Sequence, residues 1–240
     1  LRPLFNLALL GVVLLPALVL IAVISLANWI AFRDHKKIFF KQYRVGYRGN
    51  LFELWKFRTM MDSSRPHYES WISGEEATRV TMLGKFLRRS HLDELPQLLN
   101  VLNGEMNLIG PRPEMVEVDE WVLSEVPLFY ERLAVKPGIT GLAQINQGYV
   151  GNDIDGYRHK LGRDIAYIKD LTFYRDLIVL ALTPIWMFCL RGWNNDRTRK
   201  TEKGSVPTGA NGVIHPMPRA GVPSNHAAQI LEEIDPIPPV

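Results

Sequence analysis

Six side chains that can bind ions or act as nucleophiles fall within residues 88–94. They are Arg88, Arg89, Ser90, His91, Asp93 and Glu94. Paired arginines suit phosphate binding, because guanidinium groups form parallel hydrogen bonds to phosphate oxygens. A carboxylate can act as a covalent nucleophile or bind a metal ion. This stretch therefore predicts an ionic site, which the surrounding elements must position.

A leucine-rich helix is predicted directly after these groups. Four leucines recur at helical spacing and are expected to form one buried face. They are Leu95, Leu98, Leu99 and Leu102. Pro96 fits the first turn, so the helix is expected to begin near residue 92 or 93. Asp93 and Glu94 then lie at its N-terminus, either as simple caps or, with Arg88 and Arg89 upstream, as part of a phosphate site.

A β-hairpin is predicted between residues 38 and 60. Residues 38–45 and 51–60 have strand character, and residues 46–50 read as a turn. The hairpin carries four polar or basic side chains, namely Gln42, Arg44, Lys56 and Arg58. They form either a solvated basic face over a membrane surface or part of a phosphate-binding site.

Two glycine- and proline-containing loops are predicted to present ligand-binding groups. In the sequence Gly-Pro-Arg-Pro at residues 110–113, two prolines restrict the backbone around Arg112. A rigid turn suits a bidentate grip on phosphate, although an ordinary loop with a salt-bridged arginine is the alternative. A second loop is predicted at residues 135–149, where Gln144 and Asn146 offer amide groups to a ligand.

Residues 3–32 contain no charged side chain and exceed the roughly 20 residues that a membrane-spanning helix needs. Pro16 lies near the middle, so two interpretations compete. The helix either spans the bilayer with a kink or divides into two arms of about 14 residues that enter and leave by the same face. Basic residues at both ends suit the second course. They are Arg2 before the segment and Arg33, Lys36, Lys37 and Lys41 after it.

The rest of the chain is predicted to be mainly helical, with a polar tail. Residues 114–133 read as one or two amphipathic helices, with Trp121, Leu128 and Phe129 on the buried side. Residues 163–190 read as a helix whose apolar run, 177–190, is too short to span and lies either at the membrane interface or in the core. Proline, glycine and charged residues predict that residues 194–240 are largely disordered.

Composition narrows the function further. The net charge of +3 over 240 residues makes the chain mildly basic, which suits binding to anionic lipids or phosphorylated substrates. This charge is too small to indicate binding to nucleic acid. The single cysteine, Cys189, cannot form an intrachain disulfide. The predicted fold is α+β and mostly helical, with a membrane segment at residues 1–33, a catalytic domain at 34–193 and a tail at 194–240.

Several blocks of this chain resemble the bacterial sugar transferases, the monotopic phosphoglycosyl transferases, over residues 4–193. The blocks occur in that family's order: the apolar segment with Pro16, Phe40-x-Gln42-x-Arg44-x-Gly46, Lys56-Phe57-Arg58-Thr59-Met60, Leu92-Asp93-Glu94-Leu95-Pro96-Gln97-Leu98, Gly110-Pro111-Arg112-Pro113 and Pro137-Gly138-Ile139-Thr140-Gly141. The resemblance implies transfer of a hexose 1-phosphate from a UDP-sugar to undecaprenyl phosphate or another polyprenol phosphate, as the first membrane step of polysaccharide synthesis. It also implies a re-entrant membrane helix broken at Pro16 and a catalytic domain on the cytoplasmic face of the bacterial inner membrane.

The resemblance also implies roles for individual residues. Asp93 attacks the β-phosphate and binds Mg²⁺, and Glu94 is its partner. The expected phosphate- and substrate-binding residues are Arg88, Arg112, Lys56, Arg58 and Gln144, and Glu117 and Asp176 match acidic positions of the family. His91 is not required by the family. Membrane lipids are further expected partners, nucleic acid is not, and a homodimer is left open.

Three positions depart from the family's pattern. Leu15-Pro16 stands where a Ser-Pro pair is usual, and Phe5-Asn6 stands where Phe-Asp is common. Asn146-Gln147-Gly148 replaces a common Asn-Gly-Arg, so an arginine that would contact the nucleotide sugar is missing and donor specificity is affected. The alternative to an enzyme is a catalytically inactive, membrane-anchored scaffold of the same fold.

Overall fold

The computed structural model describes residues 2–62, 76–147 and 150–188. The predicted tail at residues 194–240 and Cys189 lie outside the described residues. The described elements place a long N-terminal helix beside a β-hairpin, two short parallel strands and a set of helices.

Helix α1 spans Arg2–Phe32 and is continuous across Pro16. The predicted division into two separate arms at this proline is therefore not seen as a break in the helix. Between residues 14 and 32 its mean hydropathy is 2.3 and 17% of the segment is buried, so by length and composition this helix can cross a membrane. One side packs on the rest of the protein through Ala17, Ile24 and Asn28, while Leu18, Val19 and other apolar side chains are exposed.

The predicted hairpin is confirmed. Strand β1 (Phe39–Val45) pairs antiparallel with β2 (Leu51–Phe57), and Phe40 lies opposite Lys56. The second strand ends three residues earlier than predicted, because Met60 leaves the hairpin and pairs with Val80. This pairing draws the segment after β2 towards the helices that follow.

The candidate ionic stretch begins in the last turn of helix α3 (Met82–Ser90) and ends before helix α4 (Gln97–Leu102). The short helix α2 (Glu76–Arg79) precedes α3. The prediction that one helix begins near residue 92 is wrong. His91 adopts a left-handed conformation (φ 56°) that ends α3, and residues Leu92–Glu94 form a 3₁₀ turn. Pro96 immediately precedes α4, where its missing N–H costs no helical hydrogen bond.

The predicted leucine face of α4 is also wrong in part. Leu98 is 4% exposed, but Leu99 and Leu102 are 42% and 53% exposed. Asn100 is buried instead, because its amide donates to Glu53 O at 2.7 Å and accepts from Trp55 N at 3.1 Å. The backbone of β2 needs these partners, so hydrogen bonding rather than apolar periodicity orients this short helix.

Part of the predicted second loop, residues 135–149, forms a short strand and a helix instead. Strand β3 (Asn107–Ile109) pairs with β4 (Gly138–Thr140), and helix α6 (Leu142–Gln147) follows. A Cβ on Gly138 would lie 2.0 Å from Gly110 N, so the two glycine-containing loops touch backbone to backbone. This close contact fixes the position of the backbone at Gly110, where the turn that carries Arg112 begins.

The remaining helices build the main core. They are α5 (Val116–Glu125), α7 (Ile154–Lys169) and α8 (Phe173–Phe188), and a 3₁₀ segment, Pro127–Ala134, follows α5. Leu128 and Phe129 are buried and Trp121 is partly buried, as predicted. The single helix predicted over residues 163–190 is divided at residues 170–172. Helix α8 buries Val179 but exposes Leu177 and Ile185, so it combines a core side with an apolar exposed side.

Candidate active site

Asp93 and Glu94 occupy a buried 3₁₀ turn between two helices. Each is 7% exposed. The turn exists because the left-handed His91 stops α3, and the backbone N–H of Glu94 then donates to His91 O at 3.1 Å. Two adjacent carboxylates are thus removed from water, which is unfavourable unless neighbouring groups compensate for their charge.

Glu94 is held by two cations from distant parts of the chain. Arg112 donates to both of its carboxylate oxygens, with Nη1 2.9 Å from Oε2, and Lys56 Nζ lies 2.9 Å from Oε1. Burial on its own would raise the pKa of Glu94, but the charges of Arg112 and Lys56 outweigh burial and hold the pKa well below its usual value. Glu94 is therefore a charged, fully engaged group.

Asp93 has a different environment although it is the next residue. Among the described residues its carboxylate forms no ion pair or side-chain hydrogen bond. Burial raises the pKa of Asp93 to about 6, opposed by the charge of Lys56 and reinforced by that of Glu94. Because its oxygen atoms accept no hydrogen bond from a described side chain, the Asp93 carboxylate is available to bind a metal ion or to attack an electrophile.

Arg88 is near enough to Asp93 for its charge to act on that carboxylate. It projects from the last turn of α3, where Nε donates to Thr59 Oγ1 at 3.0 Å and Nη2 contacts Met60 Sδ at 3.0 Å. Its charge acts on Asp93 and lowers the pKa of that carboxyl. The segment after β2 therefore orients one of the predicted phosphate-binding arginines.

His91 is close to the carboxylates but is an electrically neutral neighbour at pH 7. Burial lowers the pKa of His91 to about 4, with the nearby charge of Glu94 opposing the shift. Its left-handed backbone conformation is uncommon for a residue with a side chain. Its observed role is to set the chain direction between α3 and the 3₁₀ turn.

Other side chains that the sequence predicted for the site make contacts of their own. Arg58 binds Asp62 (2.6 Å) at the end of the hairpin, and Arg44 binds Gln42 (2.7 Å) on β1. Gln144 is buried on α6, where its Nε2 donates to Ile139 O at 3.4 Å.

The two acidic positions matched to the family differ in burial. Glu117 is exposed on α5. Asp176 is buried at the start of α8 and accepts a hydrogen bond from Tyr167 (2.8 Å). The contacts described above therefore bring together Asp93, Glu94, Arg88, Arg112 and Lys56 but do not link Glu117 to them.

A second buried ionic cluster was missed by sequence analysis. It consists of Glu114, Asp119, Arg132, Lys160 and Asp164, each at most 8% exposed. Lys160 pairs with Glu114, and Arg132 Nε donates to Asp164 Oδ2 at 3.1 Å. A signal existed in α7, because Lys160 and Asp164 share a helix face with the apolar residues Tyr157 and Leu161. Charged residues on an apolar face are rarely buried without partners.

The carboxylates fit one mode of metal binding. Within the described ranges there is no group of three or more His, Cys, Asp or Glu side chains that could hold a metal ion. Both oxygens of Glu94 are occupied by cations, whereas Asp93 forms no ion pair with another described residue. Mg²⁺ often uses one or two carboxylates together with substrate phosphates and water, so Asp93 fits such a site with the substrate supplying further oxygens.

Comparison with known proteins identifies related sequences. A family model described as bacterial sugar transferase matches residues 1–189. The chain is 39% identical over 146 residues to a UDP-N-acetylgalactosamine-undecaprenyl-phosphate N-acetylgalactosaminephosphotransferase of Aeromonas hydrophila, covering 61% of this chain and 34% of that protein. It is 37% identical over 154 residues to a UDP-glucose:undecaprenyl-phosphate glucose-1-phosphate transferase of Xanthomonas campestris, covering 62% and 31% respectively.

A shorter relative is matched over more of its length. The chain is 41% identical over 150 residues to the uncharacterized sugar transferase EpsL of Bacillus subtilis, covering 61% of this chain and 67% of the relative. The matched region therefore spans about a third of the Aeromonas and Xanthomonas proteins but two thirds of the Bacillus protein.

Proposed function

The chain belongs to the bacterial sugar transferase family, and on this premise we propose that it transfers a hexose 1-phosphate from a UDP-sugar to undecaprenyl phosphate. One observation carries the proposal. Asp93 is a buried carboxylate without an ion pair among the described residues, beside a carboxylate that is held by two cations. This arrangement suits nucleophilic attack on an anionic diphosphate.

In the first step, a carboxylate oxygen of Asp93 attacks the β-phosphorus of the UDP-sugar. A new oxygen–phosphorus bond forms, and the bond between that phosphorus and the bridging oxygen breaks. UMP leaves with the bonding electron pair, and the sugar phosphate remains attached to Asp93. Arg88 and Arg112 offset the charge of the phosphate oxygens, because preorganised cations stabilise charge in a buried site more strongly than water does.

In the second step, a phosphate oxygen of undecaprenyl phosphate attacks the same phosphorus. The bond to Asp93 breaks, the carboxylate is restored, and the lipid diphosphate sugar is released. Glu94 is not a free base in this scheme, because Arg112 and Lys56 hold it ionised. Its role is to keep these two cations beside Asp93.

Asp93 would also hold the expected Mg²⁺ ion together with oxygens of the substrate. When bound, the ion supplies Lewis-acid stabilisation of the phosphate charge. The chain's own residues then bind and orient the diphosphate. Removal of Mg²⁺ by a chelator should therefore abolish turnover without unfolding the protein, since a structural cage of protein ligands is not part of this scheme.

The membrane position follows from the lipid substrate. We place α1 in the cytoplasmic leaflet of the bacterial inner membrane as a re-entrant segment that bends at Pro16 within the continuous helix, with the active site at the interface. Exposed apolar side chains on α1 and α8 support burial of both helices in lipid. Undecaprenyl phosphate then reaches the site with its tail in lipid, and the soluble UDP-sugar arrives from the cytoplasm.

The test is UMP release by the purified full chain in detergent, with Mg²⁺, undecaprenyl phosphate and a panel of UDP-sugars. The panel includes UDP-glucose, UDP-galactose and their N-acetylated forms. We expect release with at least one donor and a loss of at least about a thousandfold in Asp93→Asn, because the nucleophile is removed. Asp155→Asn, an exposed position on α7, is the matched control and should keep wild-type turnover.

Two results would contradict the proposal. Full turnover in Asp93→Asn would exclude the covalent role. Binding of a UDP-sugar without UMP release from any donor would favour the alternative, an inactive membrane-anchored scaffold.

A further inference from the structure

The backbone carbonyl groups of the turn that carries Arg112 accept hydrogen bonds from other segments of the protein. Pro111 O accepts from Gly138 N at 2.9 Å, and Glu114 O accepts from Val45 N at 3.1 Å. Pro113 O accepts from Arg44 Nη1 at 3.4 Å, and Arg112 O accepts from Arg132 Nη2. Four consecutive carbonyls are thus bound by donors from three parts of the fold, namely β1, β4 and the 3₁₀ segment. Both prolines lack a backbone N–H, so the turn depends on donors from outside it.

Arg132 differs from the other donors because it is a buried charge. Its side chain is 1% exposed and lies over the ring of Phe129, with 4.6 Å between the guanidinium carbon and the ring centroid. Asp164, 2% exposed on α7, accepts from Nε at 3.1 Å. One guanidinium therefore links α7, the 3₁₀ segment and the Arg112 backbone.

We infer that Arg132, held by Asp164, is a positioning residue that fixes Arg112 for the transfer reaction. This inference rests on the proposed function. Arg132 has no described contact with Asp93 or Glu94 and acts through the main chain of Arg112, whose guanidinium binds Glu94. A small rotation of this turn would displace the guanidinium from both Glu94 and the phosphate. Errors of about 1 Å in a catalytic group can cost about a hundredfold in rate.

A lysine cannot reproduce this arrangement. The planar guanidinium donates to Asp164 and to Arg112 O at the same time through different nitrogen atoms. Arg132→Lys keeps the buried charge but loses this forked geometry. It therefore separates the loss of orientation from the loss of charge, while Asp164→Asn loosens the same contact from the other side.

The experiment is a double-mutant cycle on the full chain in detergent, measuring kcat and KM for the UDP-sugar. We expect Arg132→Lys to lower kcat at least about tenfold with a smaller change in KM, because an interaction of the transition state is misplaced. In an Arg112→Lys background the same substitution should change kcat less than about threefold, since there is no longer an Arg112 guanidinium to position. Asp155→Asn, on the same helix as Asp164, is the control.

Hydrogen–deuterium exchange gives a reading that does not depend on activity. Amides of the peptide covering residues 106–118 should exchange faster in Arg132→Lys and Asp164→Asn than in wild type or Asp155→Asn. Unchanged exchange, or an equal loss of kcat in both backgrounds, would overturn the inference. If wild type releases no UMP, the proposed function fails, while faster exchange would still support the contact and unchanged exchange would still refute it.

Discussion

At the scale of single residues, the adjacent carboxylates Asp93 and Glu94 differ in pKa because different groups surround them. Glu94 is ionised because Arg112 and Lys56 bind it, whereas burial raises the pKa of Asp93. Sequence analysis predicted that both belong to one site, since an acidic pair follows two arginines. It could not predict which carboxylate would be engaged, because the cations that decide this come from residues 18 and 38 positions away.

Asp119 offers a test of burial that lies outside the proposed active site. It is 1% exposed, and both carboxylate oxygens lack a hydrogen-bond partner within the described part of the chain. Burial raises the pKa of Asp119 to about 6, with the charge of Arg132 opposing the shift. The protonated form is favoured in the folded state, so its contribution to stability is present below the ordinary pKa and is lost as the pH rises through about 6.

Asp119→Asn should therefore become more stable relative to wild type as the pH rises from 4 to 8. The pH-dependent part of the difference is expected to reach about 2–3 kcal/mol, by the conversion of a pKa shift into free energy. Thermal unfolding in detergent across this range measures it. Glu125→Gln, an exposed acidic position at the end of the same helix, is the control for removal of a surface carboxylate. A pH-independent difference between Asp119→Asn and wild type would contradict the assigned environment.

At the scale of elements, α3 and the segment after β2 form one unit that orients Arg88. Gly84 allows this contact, because a Cβ at that position would lie 2.1 Å from Thr59 O. Thr81 caps α3 by accepting from Gly84 N at 2.9 Å, and Thr81 N donates to Thr59 O at 3.0 Å. The absence of a side chain at Gly84 thus brings Thr59 within reach of Arg88.

Gly84→Ala should move α3 away from Thr59. The expected result is a melting temperature lower by several degrees and UMP release reduced at least about tenfold, because overpacking costs about 1–3 kcal/mol and Arg88 loses its orientation. Gly151→Ala is the matched control, since nothing lies within 4 Å of the added carbon. Wild-type melting and turnover in Gly84→Ala would show that this close contact does not constrain the helix.

At the scale of the whole molecule, the apolar helix α1 is fastened to the catalytic part by a polar contact. Asn28 is 1% exposed, and its amide donates to Ile38 O and Arg58 O at 3.0 Å each. Ile24 packs with Phe57 and Leu87 in the same region. The base of the hairpin and the end of α1 therefore contact each other directly, and in the proposed membrane position this contact would set the height of the active site relative to lipid.

The proposed re-entrant course of α1 predicts that both of its ends face the cytoplasm. Single cysteines at Arg2→Cys and Asp34→Cys, in a Cys189→Ala background, can be labelled with a membrane-impermeant maleimide. Both should react in inverted inner-membrane vesicles, and neither should react in intact spheroplasts. Labelling of the two ends from opposite sides would establish a spanning helix instead. Asp155→Cys, on the catalytic domain, is the reference for cytoplasmic exposure.

Local stereochemistry let the sequence by itself determine several features. These were the long apolar helix, the hairpin and the buried side of residues 114–133. Each depends on periodicity, proline geometry or residue type within a short segment. The roles expected of Asp93, Glu94 and Arg112 came instead from the resemblance of their sequence blocks to a known family. The start of α4 was mispredicted because the left-handed His91 ends one helix and a 3₁₀ turn intervenes before the next.

Tertiary structure decided how these parts meet. It paired β3 with β4, placed Lys56 and Arg112 on Glu94 instead of Asp93, and buried Arg132 and Asp164 behind the Arg112 turn. These contacts join residues far apart in the chain, and their strength depends on burial that exists only after folding. Burial after folding raises the pKa of Asp93 and so decides how its carboxylate can react, whereas the sequence alone determines that a carboxylate is present at this position.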